Sequence, residues 1–481
     1  MENKVIGRSI KWSSLTEIGV KFITPVSTMI LARILSPDAF GVLAICSMLI
    51  SFAEIIADAG FGKYIVQAEF ADEKMLHRYA SVAFWSHLIM ALFLWTIIII
   101  FSDSIAAILG VEGKSNVIIV ACSQLVFMSM ISTQLGLLRR QFLFKKTFIA
   151  RISTVCVTIC ITIPLALILK SYWALIIGNL CGSIVNVFVL TVMSKWYPNL
   201  YFSKAVFKDM FGFSFWSLCE GLAHWMIFWL DVFIVTQFYS IYYVGLYKNS
   251  VSIMLSFIGM ITASMSPVLL SILARLKNDQ SYNELYMRIC RLFMYAVLPL
   301  CVGIFFCRDM VTLVLLGNKW MEAANIIGVW SLMLGVSVFV YSFPAEVYKS
   351  KGIPKYLFFY QLSYIVFLVP ICIFSAKTGF WEFVYCRAGC VIIQVVLFFV
   401  FCKLCLHWNP VWVLNNLLKP VLATFVFASL CFCLCGEEYS IWGKLISVFV
   451  AYCCYVILCM TLFRKDIVES KRVLSEKEIA L

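Results

Sequence analysis

Charge is what this 481-residue chain has least of. Only 13% of its residues are Asp, Glu, Lys or Arg, against about 25% in an ordinary soluble protein. Catalytic motifs are missing as well. There is no P-loop, so a Walker site for ATP is excluded as the obvious energy source, and no GxSxG, HExxH or paired CxxC marks a hydrolase elbow, a zincin or a four-cysteine zinc site. No short cleavable signal precedes the first apolar run. Met1 to Lys11 is polar and basic, so the first run is expected to be retained as a membrane span.

What fills the chain is apolar: 63% of residues are hydrophobic and the mean hydropathy is +0.97. A soluble chain of this length would divide into two or three cores. Here the apolar residues fall in runs of about 20, the length of a helix that crosses the hydrocarbon layer. The expected fold is an all-α integral membrane protein with about 14 transmembrane helices, over 10–34, 38–60, 80–101, 116–137, 147–169, 172–194, 210–236, 240–270, 288–307, 323–346, 355–375, 380–402, 417–435 and 440–462.

The formal charge of +13 does not point to nucleic acid, because the basic residues sit in short clusters between apolar runs. That is the pattern of cytoplasmic loops. With the N-terminus inside, 28 of the 38 Lys and Arg residues fall on the cytoplasmic side, 7 on the opposite side, and Lys21, Lys248 and Arg387 within spans. Both termini are thereby expected in the cytoplasm, which requires an even number of spans. Most of the 20 Cys lie inside apolar runs, where a thiol packs as a small apolar group. Cys402, Cys405 and His407 form a CxxCxH, but no second ligand pair accompanies it, so no metal is expected.

A shift of 204 residues superposes the chain on itself. Trp12-Ser13 falls on Trp216-Ser217, Ser36 on Ser240, and Gly41-Val42 on Gly245-Leu246. Six spans separate the copies, so the halves share one orientation, a parallel repeat of the kind found in secondary transporters. The repeated spans also share polar stripes at helical spacing. These are Ser13, Glu17, Lys21, Thr24 and Thr28 in the first span and Ser47, Ser51, Glu54 and Asp58 in the second. The seventh has Ser217, Glu220, His224 and Asp231, and the eighth Lys248, Ser252 and Ser256. Ionised groups in a span are costly unless they face a partner or a watery cavity. Glu17 and Lys21 could neutralise each other at i,i+4, and a lone His224 is more often packed than functional. Four stripes on repeat-related helices nevertheless predict one shared aqueous cavity. Its candidate binding residues are Lys21, Lys248, Glu17, Glu54, Glu220, His224 and Asp231. Lys21 and Lys248 are the candidates for a phosphate, since an ammonium attracts it as a point charge.

The order and spacing of several segments resemble the Wzx-type polysaccharide flippases. These form the polysaccharide transporter branch of the multidrug/oligosaccharidyl-lipid/polysaccharide exporter superfamily, and the likeness is to colanic-acid and teichuronic-acid exporters. The segments are Leu31-Ala32-Arg33-Ile34-Leu35-Ser36-Pro37-Asp38-Ala39-Phe40-Gly41, Asp58-Ala59-Gly60-Phe61-Gly62, Leu137-Leu138-Arg139-Arg140-Gln141, Val244-Gly245-Leu246-Tyr247, Ser266-Pro267 and Leu316-Gly317-Asn318-Lys319-Trp320. They span about residues 10–355, and the last quarter agrees in hydropathy only. Arg33, Pro37, Gly41, Asp58, Arg139, Arg140, Gly245, Gly317, Lys319 and Trp320 are the motif positions. The branch often has a basic residue after the seventh-span aspartate, whereas Val232 follows Asp231 here.

The resemblance implies two six-helix lobes around a central cavity, residues 1–200 and 201–405, with two added spans at 406–463 and a cytoplasmic tail at 464–481. It implies alternating access, with H+ or Na+ as the coupling ion. The expected activity is the flipping of an undecaprenyl-pyrophosphate-linked oligosaccharide across a bacterial inner membrane. No cofactor and no nucleic acid are expected, and polysaccharide polymerase or export proteins are possible partners. A multidrug or cation antiporter of the same fold is the first rival. A membrane glycosyltransferase or polymerase is the second, disfavoured because the outer loops, such as Ser36-Pro37-Asp38, are too short to carry a catalytic domain.

Overall fold

Lipid tails offer no hydrogen-bond partners, so a chain that crosses them must satisfy its backbone within helices or a closed barrel. The computed structural model describes residue 19 and residues 23–273, 279–351, 355–435 and 440–462. It is 89% helix, with no strand among the described residues. Contacts divide the chain into two compact units, Met1–Asn249 and Ser250–Leu481. The division falls inside a helix, beyond the expected lobe boundary at 200/201.

The first unit holds α1 (Ile23–Ile34), α2 (Pro37–Asp58), α3 (Phe61–Gln67), α4 (Glu73–Ile100), α5 (Ser102–Ile108), α6 (Ser115–Cys122), α7 (Gln124–Arg140), α8 (Phe144–Leu169), α9 (Trp173–Ser194), α10 (Lys204–Phe238) and the start of α11 (Ile241–Leu273). The second holds the rest of α11 with α12 (Asp279–Phe306), α13 (Arg308–Leu315), α14 (Ala324–Ser337), α15 (Phe343–Ser350), α16 (Lys355–Thr378), α17 (Phe380–Gly389), α18 (Val391–Cys405), α19 (Pro410–Leu434) and α20 (Ile441–Leu462). Twelve helical segments among the described residues are long and apolar enough to cross a membrane, and the protein is a multi-pass membrane protein. The twelve correspond to expected spans two to seven and nine to fourteen. The first expected span is represented by α1, and the eighth by the 33 residues of α11; neither is among the twelve.

Outward faces are apolar because their solvent is hydrocarbon: Ile168, Phe188, Phe374 and Phe432 are exposed. Between helices, small residues permit close approach. Gly178 and Gly182 of α9, a GxxxG pair, face Thr162 and Thr158 of α8 so tightly that a Cβ on either glycine would collide with the threonine hydroxyl. Buried hydroxyls turn back on their own helices, as Thr154 does onto the Ala150 carbonyl at 2.8 Å.

The Asp58–Gly62 motif is a reversal. Ala59 and Gly60 both adopt positive φ, 47° and 83°, which glycine takes without strain, and α3 leaves α2 at that turn. Gly62 and Gly136 let α3 lie against α7. Arg140 completes this corner. Its guanidinium donates to the carbonyls of Ile65 at 3.1 Å, Val66 and Ala68, at the end of α3 where orphan carbonyls and the helix dipole favour a cation. Tyr64 and Tyr79 both donate to Asp209 of α10, at 3.0 and 2.9 Å. Burial, and then the Asp209 hydrogen bond, push the Tyr64 phenol well above its ordinary range. In the second unit, Gly317 at φ +90° starts a 3-10 turn that drives Trp320 into complete burial, while Lys319 is exposed. Arg387 is buried there, 3.2 Å from the Tyr364 hydroxyl and over the Trp330 ring.

The α8–α9 contact predicts a paired outcome in detergent. Gly178→Ala should destabilise the protein by about 1–3 kcal/mol through overpacking. Gly212→Ala, with nothing within 4 Å of its added Cβ, should leave the melting temperature unchanged or raise it. Thermal unfolding followed by size-exclusion chromatography checks both, and equal effects would contradict the packing described.

Candidate functional site

Lys248, expected to lie within a span, lies near the start of α11, 9% exposed. Its ammonium donates to the Phe228 carbonyl at 3.0 Å and lies 3.8 Å from the centre of the Trp229 ring, close enough for a cation–π contact. In an α-helix the Phe228 carbonyl pairs with the Val232 N–H. That same N–H donates to Asp231 Oδ1 at 2.8 Å. Asp231 is 3% exposed, and its other oxygen accepts from the buried Tyr247 hydroxyl at 2.8 Å. One turn of α10 therefore receives two consecutive α11 side chains, Tyr247 on its carboxylate and Lys248 on its carbonyl and indole. The aspartate that lacks a following basic residue in sequence meets a tyrosine from the next helix.

The sequence repeat brings α11 close to α2. Each helix opens on a serine turn, with Ala39 N–H bonded to the Ser36 carbonyl and Tyr243 N–H to the Ser240 carbonyl at 3.1 and 3.0 Å. A Cβ at Gly41 would collide with the Ile241 carbonyl, and one at Gly245 with the Pro37 carbonyl. Those contacts are reciprocal under the 204-residue shift, so this part of the repeat is a local two-fold crossing at backbone contact. Pro37 occupies the first turn of α2, where its missing N–H costs nothing. Further along, Trp225 Nε1 of α10 donates to Ser51 Oγ of α2 at 3.0 Å, so that stripe residue faces its partner helix.

The remaining stripe residues separate. Glu220 forms an exposed ion pair with Lys63 of α3 at 2.9 Å. His224 is exposed, its ring 5.0 Å from that of Phe228. Glu54 and Asp58 turn toward α4, where they bracket His87. The His87 Nε2 lies 3.5 Å from Glu54 Oε2, and Nδ1 lies 3.6 Å from Asp58 Oδ1. Asp58 also accepts from Ser132 Oγ of α7 at 2.6 Å. Sequence reasoning missed His87. A single imidazole in the apolar run from 80 to 101 forms no stripe; its only signal is that an ionisable group sits inside a span.

Glu17 and Lys21 lie outside the described residues. Arg33 is exposed beside the α1–α2 turn. Arg139 is exposed at a cavity of about 260 Å³ that it lines with Thr147, Arg151 and Asn186, whereas Arg140 is spent on α3. No group of three or more His, Cys, Asp and Glu able to hold a metal occurs among the described residues.

The spans, with polar and charged side chains seated between them, are those of a polytopic membrane helix bundle. Residues 30–325 match the family described as polysaccharide biosynthesis protein, and the chain belongs to that family. It is 22% identical over 340 residues to the succinoglycan biosynthesis transport protein ExoT of Rhizobium meliloti (strain 1021), covering 69% of this chain and 67% of that one. It is 22% identical over 477 residues to the teichuronic acid biosynthesis protein TuaB of Bacillus subtilis (strain 168), covering 95% of each. In fold it is similar to the lipid II flippase MurJ in an inward closed conformation, with a TM-score of 0.76, 15% identity, and coverage of 95% of this chain and 99% of that one.

The α10–α11 seat makes a stability prediction. Tyr247→Phe removes the hydroxyl that donates to Asp231 in a buried setting and should cost about 1–3 kcal/mol. Tyr243→Phe, on the same helix, should cost less. A melting temperature for Tyr247→Phe equal to that of the wild type would show that the hydroxyl does not hold the aspartate.

Proposed function

We propose that the protein flips an undecaprenyl-pyrophosphate-linked oligosaccharide from the cytoplasmic to the outer leaflet of a bacterial inner membrane by alternating access. The observation that carries this reading is the buried ammonium of Lys248, seated on α10 in a chain of the polysaccharide biosynthesis family whose fold is that of a lipid-linked substrate flippase. A pyrophosphate must exchange water for protein donors to cross, and an ammonium has three hydrogens to offer. A substrate oxyanion would compete with the Phe228 carbonyl for it. Lys21, from the repeat-related first span, is proposed as the second cation. Glu17, Glu54, Glu220, His224 and Asp231 are proposed to line or support the same path, with membrane lipid as the surrounding solvent.

The proposed topology is 14 spans, adding α1 and α11 to the twelve, in two six-helix lobes with α19 and α20 as the added pair. Both termini are assigned to the cytoplasm from the basic loops. A multidrug antiporter would share this fold, but it has no need of a cation for pyrophosphate, and the family and the two relatives are concerned with polysaccharide.

Two measurements test this reading. Reporter fusions after Lys208, after Asp279 and in the tail should all report cytoplasm; an extracytoplasmic signal at any one sinks the topology. Lys248→Ala should abolish or strongly reduce surface polysaccharide at an unchanged protein level in the membrane, while Lys248→Arg should retain part, because charge survives and geometry changes. Normal export by the alanine variant would remove Lys248 as the anchor, and loss of the protein itself would make its contact with α10 purely architectural.

A further inference from the structure

We infer that His87, Glu54 and Asp58 form a proton-binding site whose occupancy sets the contact between α2 and α4, and that this proton is the coupling ion of the transport proposed above. The inference rests on that reading for its coupling half and on geometry alone for the site. Glu54 and Asp58 are four residues apart on α2, so both carboxylates present to one side. His87, its side chain 2% exposed, stands between them with one ring nitrogen toward each, at 3.5 and 3.6 Å. Neither ring nitrogen, nor Glu54 Oε2, has a hydrogen bond within the described structure.

Bonding inventory decides what such a site needs. A neutral imidazole carries one N–H and one bare lone pair, and an ionised carboxylate only accepts. Between two carboxylates, the neutral ring can make one hydrogen bond, and its other face sets lone pair against lone pair. One added proton, taken from water onto the ring or onto the facing carboxyl, converts that repulsive face into a second hydrogen bond. Release of the proton to water on the other side restores the repulsion. No other bond is made or broken, and the site changes by one positive charge. Contacts of 3.5 and 3.6 Å have room to shorten when the proton arrives, and with it α4 is drawn onto α2.

The surrounding ionisable groups are engaged elsewhere. On α4 itself, His77 accepts from Trp196 Nε1 at 2.9 Å. The α7 helix faces the site with the Ser132 hydroxyl, and its Arg140 is held by the α3 carbonyls. On α10, Glu220 is paired with Lys63 of α3, Asp209 is held by Tyr64 and Tyr79, and Asp231 is held by Tyr247. The α6 helix contributes a buried thiol, Cys122, and no carboxylate or base.

The test uses the full-length protein in two parts. Imidazole NMR over a pH series on protein labelled at its 4 His identifies His87 by the resonances absent from His87→Gln. The expected result is a ring that gains and loses a proton across the series, with its midpoint displaced in Glu54→Gln. A ring in one protonation state throughout overturns the site, whatever the protein transports. In cells without a chromosomal copy, surface polysaccharide restored by the wild type is then measured with nigericin, which collapses the pH gradient, and separately with valinomycin, which collapses the potential. Loss of export with nigericin, and loss in His87→Gln at an unchanged membrane level, is expected. Glu54→Gln serves if the first variant fails to accumulate. Export that persists when nigericin and valinomycin are added together overturns the coupling, whatever the variants do. If the wild type restores no polysaccharide, the flippase reading fails instead, and the NMR result still judges the site.

Discussion

The requirement that a buried ammonium be satisfied by protein fixes how α11 sits on α10. On insertion scales a lysine at the centre of a span costs about 2.5–3.5 kcal/mol. Lys248, nearer the start of α11, faces a smaller cost of the same kind and meets it with a carbonyl and an indole on α10, and Tyr247 beside it meets the neighbouring carboxylate. Because the two are consecutive on α11, the register of α11 against α10 is set at one place. A slip of one residue would withdraw the phenol and the ammonium together. The helices that share this seat, the seventh and eighth expected spans, are one of the two repeat-related pairs expected to line the cavity.

That register also bears on the Gly41–Gly245 crossing. Backbones that approach as closely as these do need glycine on both sides, since a Cβ from either would enter the other helix's carbonyl. Gly245 of the crossing lies two and three residues before Tyr247 and Lys248 of the seat, so the backbone contact and the polar contact constrain the same turn of α11. This explains why the first compact unit extends to Asn249 rather than ending near residue 200. The ties from α10 and the start of α11 to α2 and α3 run through Gly245, Trp225 and Glu220.

Much of the architecture was legible in sequence because hydropathy is a local property. Twelve of the expected spans have a counterpart among the membrane-crossing helices, since each run carries its own apolar excess. The repeat was legible where its residues act on the backbone, at Ser36 with Ser240 and at Gly41 with Gly245. Partners were not legible, because they lie on other helices. Lys248 stood out as a cation in a span, but Phe228 and Trp229 lie twenty and nineteen residues away on another helix. The stripes placed Glu54 and Asp58 on one face without indicating that His87 of α4 lies opposite. Arg140 looked like part of a basic loop and is the cap of α3. Glu220 stood out as a carboxylate in a stripe, without indicating that Lys63 of α3 is its ion-pair partner.

The two polar arrangements of the first unit differ in how tightly they are bonded, and this difference separates their roles. Around Asp231 the contacts are 2.8 Å, and the Lys248 contact to Phe228 is 3.0 Å, within the ordinary range for formed hydrogen bonds. Around His87 the two approaches, 3.5 and 3.6 Å, lie beyond that range by about 0.3–0.4 Å, with acceptors on both sides and only one ring to supply protons. A formed seat resists motion, because separating its members would leave unsatisfied groups in hydrocarbon. An arrangement one proton short of completion has two geometries available to it, and the difference between them can be supplied by a proton from water. Motion is therefore assigned more naturally to the α2–α4 contact, while the α10–α11 contact serves as the fixed side against which it works.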